Sequence, residues 1–356
     1  MKIALITFHD TTNFGALLQT YGLYKKLNDL GYDCSLLDYQ CESQLKNEIP
    51  AKFQFSINPR SLVSEILVKS KKRRKYTAMK TFTRQYMSKI SKRYDRQSVF
   101  NIKENYDTYV VGSDMLWGLD MTGGDFSYFL DFVPDEKRKF SYASSIGKRE
   151  WTEEERGKIS KLLNRFQAIS VREKSTVDRL KSVVNKECYV VCDPTMLVTP
   201  EEWQPYVGKR LCKKDYVLVY FDTDDRKCSQ DAAEYAKKNN KKLLVISQMP
   251  SIMTGTHNVF PYKVEDFLSL FFFADTVFTA SYHGLLYSLY FHKNFVYYNR
   301  QPAYRMQTVA ELLGIEGREG RVADIDNLPK LNYHIIDEKM AAYRDKSIDF
   351  IKETLR

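Results

Sequence analysis

The sequence predicts an α/β protein, on three observations. Short apolar runs of strand length alternate with segments of helical periodicity along the chain. Several runs end on polar or glycine-bearing turns, as parallel strands feeding helices do. The alternation restarts after Asp193-Pro194-Thr195, where Pro194 cannot continue a ladder.

Residues 2–8 read as the first strand, and a loop from His9 to Asn13 follows. Ala16, Leu23, Leu27 and Leu30 then recur at helical spacing until Gly31 stops the helix. Strands at 33–39, 106–112, 139–145, 168–172 and 187–192 complete the first half, with a helix from about Lys174. In the second half, strands at 216–221 and 242–247 flank a helix from about Lys227. Residues 265–273 are a helix; 276–280 are a strand running into Ser281-Tyr282-His283-Gly284 and an apolar helix through Tyr290. Residues 295–298 are a strand and 337–355 an amphipathic helix. Two doubly wound, Rossmann-like halves facing a cleft at the carboxyl ends of both sheets follow from this order. The expected domains are 1–198, with a basic helical insert at about 60–90, and 199–335, with a helix 336–356 packing back on the first.

Composition removes several classes. The 356 residues carry 55 Lys+Arg against 45 Asp+Glu, a net charge of +10, and 43% are hydrophobic. That is enough apolar material for about two cores and excludes disorder. No apolar run approaches the ~18 residues of a membrane span, and Met1-Lys2-Ile3-Ala4-Leu5-Ile6 does not read as a secretory leader. Six cysteines without a CxxC pair point to a reducing, cytoplasmic compartment. The five histidines, His9, His257, His283, His292 and His334, form no HxH or HExxH pair, so no metal is expected. The first turn is not GxGxxG, so dinucleotide binding is not expected, and the reading calls for no cofactor.

From Lys69 to Lys75 the chain reads KSKKRRK, with Leu62, Ile66 and Leu67 able to form an apolar stripe upstream. A patch for an anionic membrane surface and a plain solvated helix face both fit. No nucleic-acid motif accompanies the run, so nucleic acid is not an expected partner.

Chemistry is expected where strands end. Ser281 to Gly284 open a helix whose N–H groups and dipole attract an anion. Gly284 would leave room for a ligand, and His283 could act as an acid; the bland reading is a Ser281 cap and a satisfied histidine. His9, Asp10, Asn13 and Gly15 could shape a substrate loop or form an ordinary connection. Asp114, in Val111-Gly112-Ser113-Asp114, could be a general base, and Trp117 could stack on a sugar; a helix cap and a core tryptophan are the alternatives. Arg172 suits phosphate or carboxylate, or an ion pair with Glu173 or another carboxylate.

Together these segments resemble the polysaccharide pyruvyl transferase family. The resemblance rests on Asn13-Phe14-Gly15-Ala16-Leu17-Leu18-Gln19, Val111-Gly112-Ser113-Asp114 with Trp117, and Ser141-Tyr142-Ala143-Ser144-Ser145. Ser170-Val171-Arg172-Glu173, Asp193-Pro194-Thr195 and Ser281-Tyr282-His283-Gly284 complete it, so that it spans the chain to about residue 315. It implies a GT-B-like fold, phosphoenolpyruvate as donor and a hydroxyl pair of a sugar or lipid-linked oligosaccharide as acceptor. It places the acceptor with the first domain and the donor with the second. His283 would be the acid, with Asp114 favoured as the base over Asp10 and His9; Arg172, Ser281, Tyr282 and Gly284 would be on the donor, and Arg305 is the candidate to replace a missing arginine there. His9, Asp10, Asn13, Gly15 and Trp117 would face the acceptor. Two departures stand out: Ser281 replaces an arginine of some branches, and Ala16 replaces an aspartate. A GT-B glycosyltransferase using a nucleotide sugar, with Glu265 or Asp266 on the ribose, is the second reading. A non-catalytic polymer or membrane scaffold is the third.

Overall fold

The computed structural model describes residues 1–48, 59–147, 149–221, 225–246, 257–299 and 305–356. The chain divides into two compact units. One comprises Met1–Lys52, Met79–Val198 and Ala341–Arg356; the other comprises Phe53–Ala78 and Thr199–Met340.

In chain order the elements begin with β1 (Lys2–Ile6), α1 (Phe14–Asp29), β2 (Asp33–Leu36), α2 (Glu42–Glu48) and α3 (Pro59–Tyr86). Then come β3 (Thr108–Val111), α4 (Leu119–Thr122), β4 (Arg138–Ser144), α5 (Glu153–Leu163), β5 (Ala168–Val171), α6 (Lys174–Leu180) and β6 (Cys188–Val190). These strands form a six-stranded sheet of order β2-β1-β3-β4-β5-β6, parallel throughout. The central strands β1 and β3 read KIALI and TYVV and are buried almost throughout. Such two-faced burial is what helices on both sides of a parallel sheet impose.

The second unit holds α7 (Pro200–Trp203), β7 (Tyr216–Tyr220), α8 (Arg226–Lys238), β8 (Lys242–Ile246), β9 (His257–Val259) and α9 (Val264–Phe272). It continues with β10 (Thr276–Thr279), α10 (Tyr282–Tyr290), β11 (Asn294–Tyr297) and α11 (Arg305–Leu313). Its sheet, also parallel, runs β11-β10-β7-β8-β9. The last helix, α12 (Tyr333–Leu355), crosses the division at Met340. Its C-terminal part is tied into the first unit: Arg344 Nε donates to the Met196 carbonyl at 2.6 Å, and Cys192 N donates to Ser347 Oγ at 2.9 Å.

The alternation read from the sequence is the observed one, with several additional elements, among them β9, α5 and α2. Strand β9 is three residues long, too short for periodicity to register. Helix α5 buries only Ile159 and Leu163, so its apolar stripe is faint, although Thr152 and Glu155 form a full capping box. Helix α2 is mostly charged and polar.

The basic run lies on α3. Lys75 is buried with Nζ 5.5 Å from the Phe260 ring centroid, and the Arg74 guanidinium sits 4.4 Å over Tyr262. Two of its cations therefore pack on aromatic rings of their own unit. The side chains of the expected upstream stripe, Leu62, Ile66 and Leu67, lie outside what is described of α3. No helix among the described residues is long and apolar enough to cross a membrane.

Candidate functional site

The carboxyl edge of the second sheet carries the sharpest local chemistry. Strands β7, β10 and β11 end in register, with Thr279 opposite Tyr220 and Tyr297. The Thr279 hydroxyl donates to Tyr220 O at 2.7 Å and accepts from Ser281 N at 3.1 Å. This fixes the turn into α10 and leaves Ser281 at the cap position with extended backbone, φ −109° and ψ 136°. The Ser281 carbonyl accepts from Leu285 N at 3.1 Å, the first helical bond. Its side chain makes no capping bond, and the fully buried Oγ has no hydrogen-bond partner among the described residues. The first turn of α10 contains no acidic residue. The positive end of the dipole thus has no cap bond from the Ser281 side chain and no acid in its own first turn, a setting for an anion. His283 is half-buried in this turn, edge-on to the buried Tyr282 with ring centroids 5.6 Å apart.

Gly284 has a different role from the one expected. A Cβ there would lie 2.0 Å from Thr279 Oγ1 and 3.0 Å from Tyr220 Cδ1, so glycine lets α10 approach the sheet rather than clearing space for a ligand. Arg305 opens α11, and its side chain lies outside the described residues. Glu265 and Asp266 occupy the first turn of α9, where they complement that helix's own dipole. Asn299, just past β11, is a polar group the sequence reading missed; its buried Oδ1 has no partner among the described residues. It follows an apolar strand, the same signal that picked out the other turns.

In the first unit, a cavity of about 240 Å³ is lined by His9, Asp10, Asp38, Lys80, Arg84 and Arg93, among others. His9 is anchored at both ring nitrogens: Nδ1 lies 3.2 Å from Thr7 O and Nε2 3.1 Å from Asp38 Oδ1. Both ring nitrogens thus face oxygen acceptors, which fixes the orientation of the ring. Burial alone would raise the Asp38 carboxyl, but the His9 hydrogen bond and charge, then Arg93 and Gln40, outweigh it and hold it down to about 2. Asp10 is 5% exposed; its Oδ2 lies 3.3 Å from Lys80 Nζ, and its buried Oδ1 has no partner among the described residues. Asp38 ends the second apolar run and was legible by the strand-end signal. Lys80, Arg84 and Arg93 carry no local signature.

Asp114 sits at the end of β3 with φ 94°, in the left-handed region that favours glycine. Beside it, the register of β4 against β5 shifts between Ser141 and Ser144, and Ala143 has φ 54°. Non-glycine residues held there cost of order 1–3 kcal/mol and cluster at functional sites. Asp114 Oδ1 accepts from Met115 N at 2.8 Å. Three expectations for this unit are corrected. Trp117 is a core residue, 0% exposed, with its ring nearly parallel to Phe129 at 5.9 Å and Nε1 donating to Tyr128 O; no face is offered to a sugar. Asn13 caps α1, with Oδ1 accepting from Gly15 N at 2.8 Å and Ala16 N at 3.3 Å, and Gly15 lies inside the helix.

The third concerns Arg172, which is 3% exposed. Its Nε lies 3.1 Å from Glu173 Oε1 and its NH1 3.1 Å from Asp193 Oδ2, so it joins two buried carboxylates instead of presenting a charge to a donor. Gln19 Nε2 donates to Asp193 Oδ2, Ser145 Oγ donates to Glu173 Oε2 at 2.7 Å, and Thr195 Oγ1 donates to Asp193 Oδ1 at 2.7 Å. Four of the sequence motifs therefore meet in one buried polar network.

Comparison with known proteins bears on both units. A UDP-GlcNAc 2-epimerase from Neisseria meningitidis, solved bound to UDP-GlcNAc, superposes with a TM-score of 0.50 at 12% identity, covering 100% of this chain and 99% of that one. An S. aureus MnaA–UDP co-structure gives 0.50 at 12% identity, over 100% and 97%. An α-glucosyltransferase in complex with UDP and a mismatched 13-mer DNA gives 0.51 at 9% identity, over 98% and 90%. These likenesses establish a GT-B-type fold. A sequence search among curated proteins returns no match. The sequence profile described as polysaccharide pyruvyl transferase matches residues 13–302, from the cap of α1 to beyond β11. The chain belongs to the polysaccharide pyruvyl transferase family.

Proposed function

We propose that the protein transfers the enolpyruvyl group of phosphoenolpyruvate onto a hydroxyl pair of a sugar, free or lipid-linked, forming a pyruvate ketal. The observation that carries this reading is the start of α10: a buried Ser281 hydroxyl without a hydrogen-bond partner among the described residues, at a helix terminus that its own side chain does not cap. Phosphoenolpyruvate is doubly anionic, and such a terminus suits either of its charged groups. In the reaction the methylene carbon gains a proton and becomes a methyl group. One sugar oxygen bonds to the adjacent carbon, phosphate leaves with its bridging oxygen, and the second sugar oxygen takes its place. Of the two hydroxyl protons, the methyl group accounts for one and phosphate for the other. His283 supplies the acid on the donor side. A carboxylate of the first unit, Asp114 or Asp10, takes the hydroxyl proton.

The test is inorganic phosphate release from phosphoenolpyruvate with mixed oligosaccharide acceptors, run beside thermal-shift titrations. Stabilisation by phosphoenolpyruvate and acceptor-dependent phosphate release are expected. Stabilisation by a nucleotide sugar alone, with no phosphate release, would transfer the assignment to a GT-B glycosyltransferase.

On this reading the protein works at the inner face of a membrane, and the basic run of α3 touches anionic lipid. Lys75 is buried and Arg74 packs over Tyr262, which leaves the half-buried Lys71 and Lys72 and the exposed Arg73 as the cations of the run without a ring contact among the described residues. The chain is expected to float with phosphatidylglycerol vesicles, and K71E/K72E/R73E to stay in the pellet fraction. Equal flotation of both would remove the lipid contact from α3.

A further inference from the structure

The opposite, amino edge of the second sheet holds a cavity of about 500 Å³. It lies where α8 ends, where β11 begins at Asn294 and where the chain passes from Ile325 to Tyr333. Four cations line it: Arg318, Lys293, Lys238 and Lys330. The one carboxylate on its wall among the described residues, Asp326, pairs with Lys238 at 2.8 Å.

Arg318 is 3% exposed, and no carboxylate among the described residues is within ion-pair distance. Its NH1 donates to Asn294 Oδ1 at 2.6 Å and Phe295 O at 3.2 Å, and its NH2 donates to Pro329 O. These acceptors are neutral. They tie the 316–330 segment to the strand, a structural role, yet leave the charge uncompensated. The buried Nε has no hydrogen-bond partner among the described residues. Lys293 repeats the pattern: Nζ donates to Phe272 O at 2.7 Å and Ala274 O at 3.3 Å, while nearby Asp275 is paired with Lys241. Burial pushes both the Arg318 guanidinium and the Lys293 ammonium below their usual ranges, as expected of cations lacking a counter-charge. The remaining wall is amphipathic, with the Tyr235 and Tyr333 side chains beside Ile325 and Leu328.

We infer that this cavity is a second anion site, which binds a small phosphorylated or carboxylated ligand through Arg318, Lys293 and Lys330, away from the turn at Ser281. Fixed cations beside an apolar wall suit a ligand with an anionic group and a ring. An occupant would bridge α8, β11 and the 325–333 segment, so it would act as an effector rather than a reactant. This inference does not depend on the reaction assigned above.

Lysine acetylation of the full-length protein, read by mass spectrometry, tests it at the site itself. Pyrophosphate, citrate and AMP are the probes, at matched ionic strength. Lys330 and Lys293 are expected to be protected, with half-protection at millimolar probe or below, while Lys72 on α3 is unaffected. Protection by pyrophosphate assigns phosphate chemistry, by citrate carboxylate chemistry, and tighter protection by AMP than by pyrophosphate adds the tyrosine wall. K330E should weaken protection of Lys293 about ten-fold by reversing a charge at the exposed rim. R318Q should abolish it if folded. Unchanged labelling of Lys330 and Lys293 with all three probes, or equal protection in wild type and K330E, would overturn the site. Loss of phosphate release from phosphoenolpyruvate, by contrast, would bear only on the reaction proposed above and its residues.

Discussion

H283A is expected to lower phosphoenolpyruvate-dependent phosphate release by ~10²-fold or more, the usual scale for removing a positioned general acid. The variant keeps the helix start: Thr279 still fixes the turn through Tyr220 O and Ser281 N, and the Ser281 carbonyl still accepts from Leu285 N. Donor binding, read by thermal shift, should therefore change little while kcat collapses. H283Q keeps a hydrogen-bond donor without a transferable proton and should be nearly as slow. Near-normal kcat in both variants would take the acid role away from His283. Weakened donor binding with normal kcat would make it a binding residue only.

R172A is expected to fail by a different route. Its removal leaves Glu173 and Asp193 buried beside one another's partners without the shared cation. Breaking a buried pair this way costs about 3–5 kcal/mol, so the variant should lose melting temperature and soluble yield before any kinetic constant is measurable. R172K should recover part of the stability, because one ammonium replaces the charge but cannot span both carboxylates as a guanidinium does. A wild-type melting temperature with a raised KM for phosphoenolpyruvate would return Arg172 to the donor.

The contrast between these residues explains what was legible. Both end or follow apolar strands, and both sit in short polar motifs, so the sequence treats them alike. In three dimensions Arg172 is enclosed by two carboxylates, whereas His283 lies half-buried at an uncapped helix start. The pairing joins positions 172 and 193, with Gln19 on the same carboxylate, and no local pattern encodes such separations. Trp117 makes the same point: next to a polar turn it suggests a sugar platform, but its partners Phe129 and Tyr128 come from the following loop. Gly284 reads locally as room for a ligand, but Thr279 and Tyr220 lie against it.

By itself, the sequence determined the α/β class, the order of most strands and helices, and the motifs by which the family is recognised. Those are set by periodicity, turn chemistry and short spacing, which local residues carry. Only the tertiary structure decided which polar residues are enclosed and which are not. It joined His9 to Asp38 and Arg172 to Asp193, left Ser281 Oγ and Asp10 Oδ1 without partners among the described residues, and placed uncompensated cations at the far edge of the second sheet. The physical reason is that burial and charge compensation depend on residues distant along the chain, and those distances close only when the sheets form.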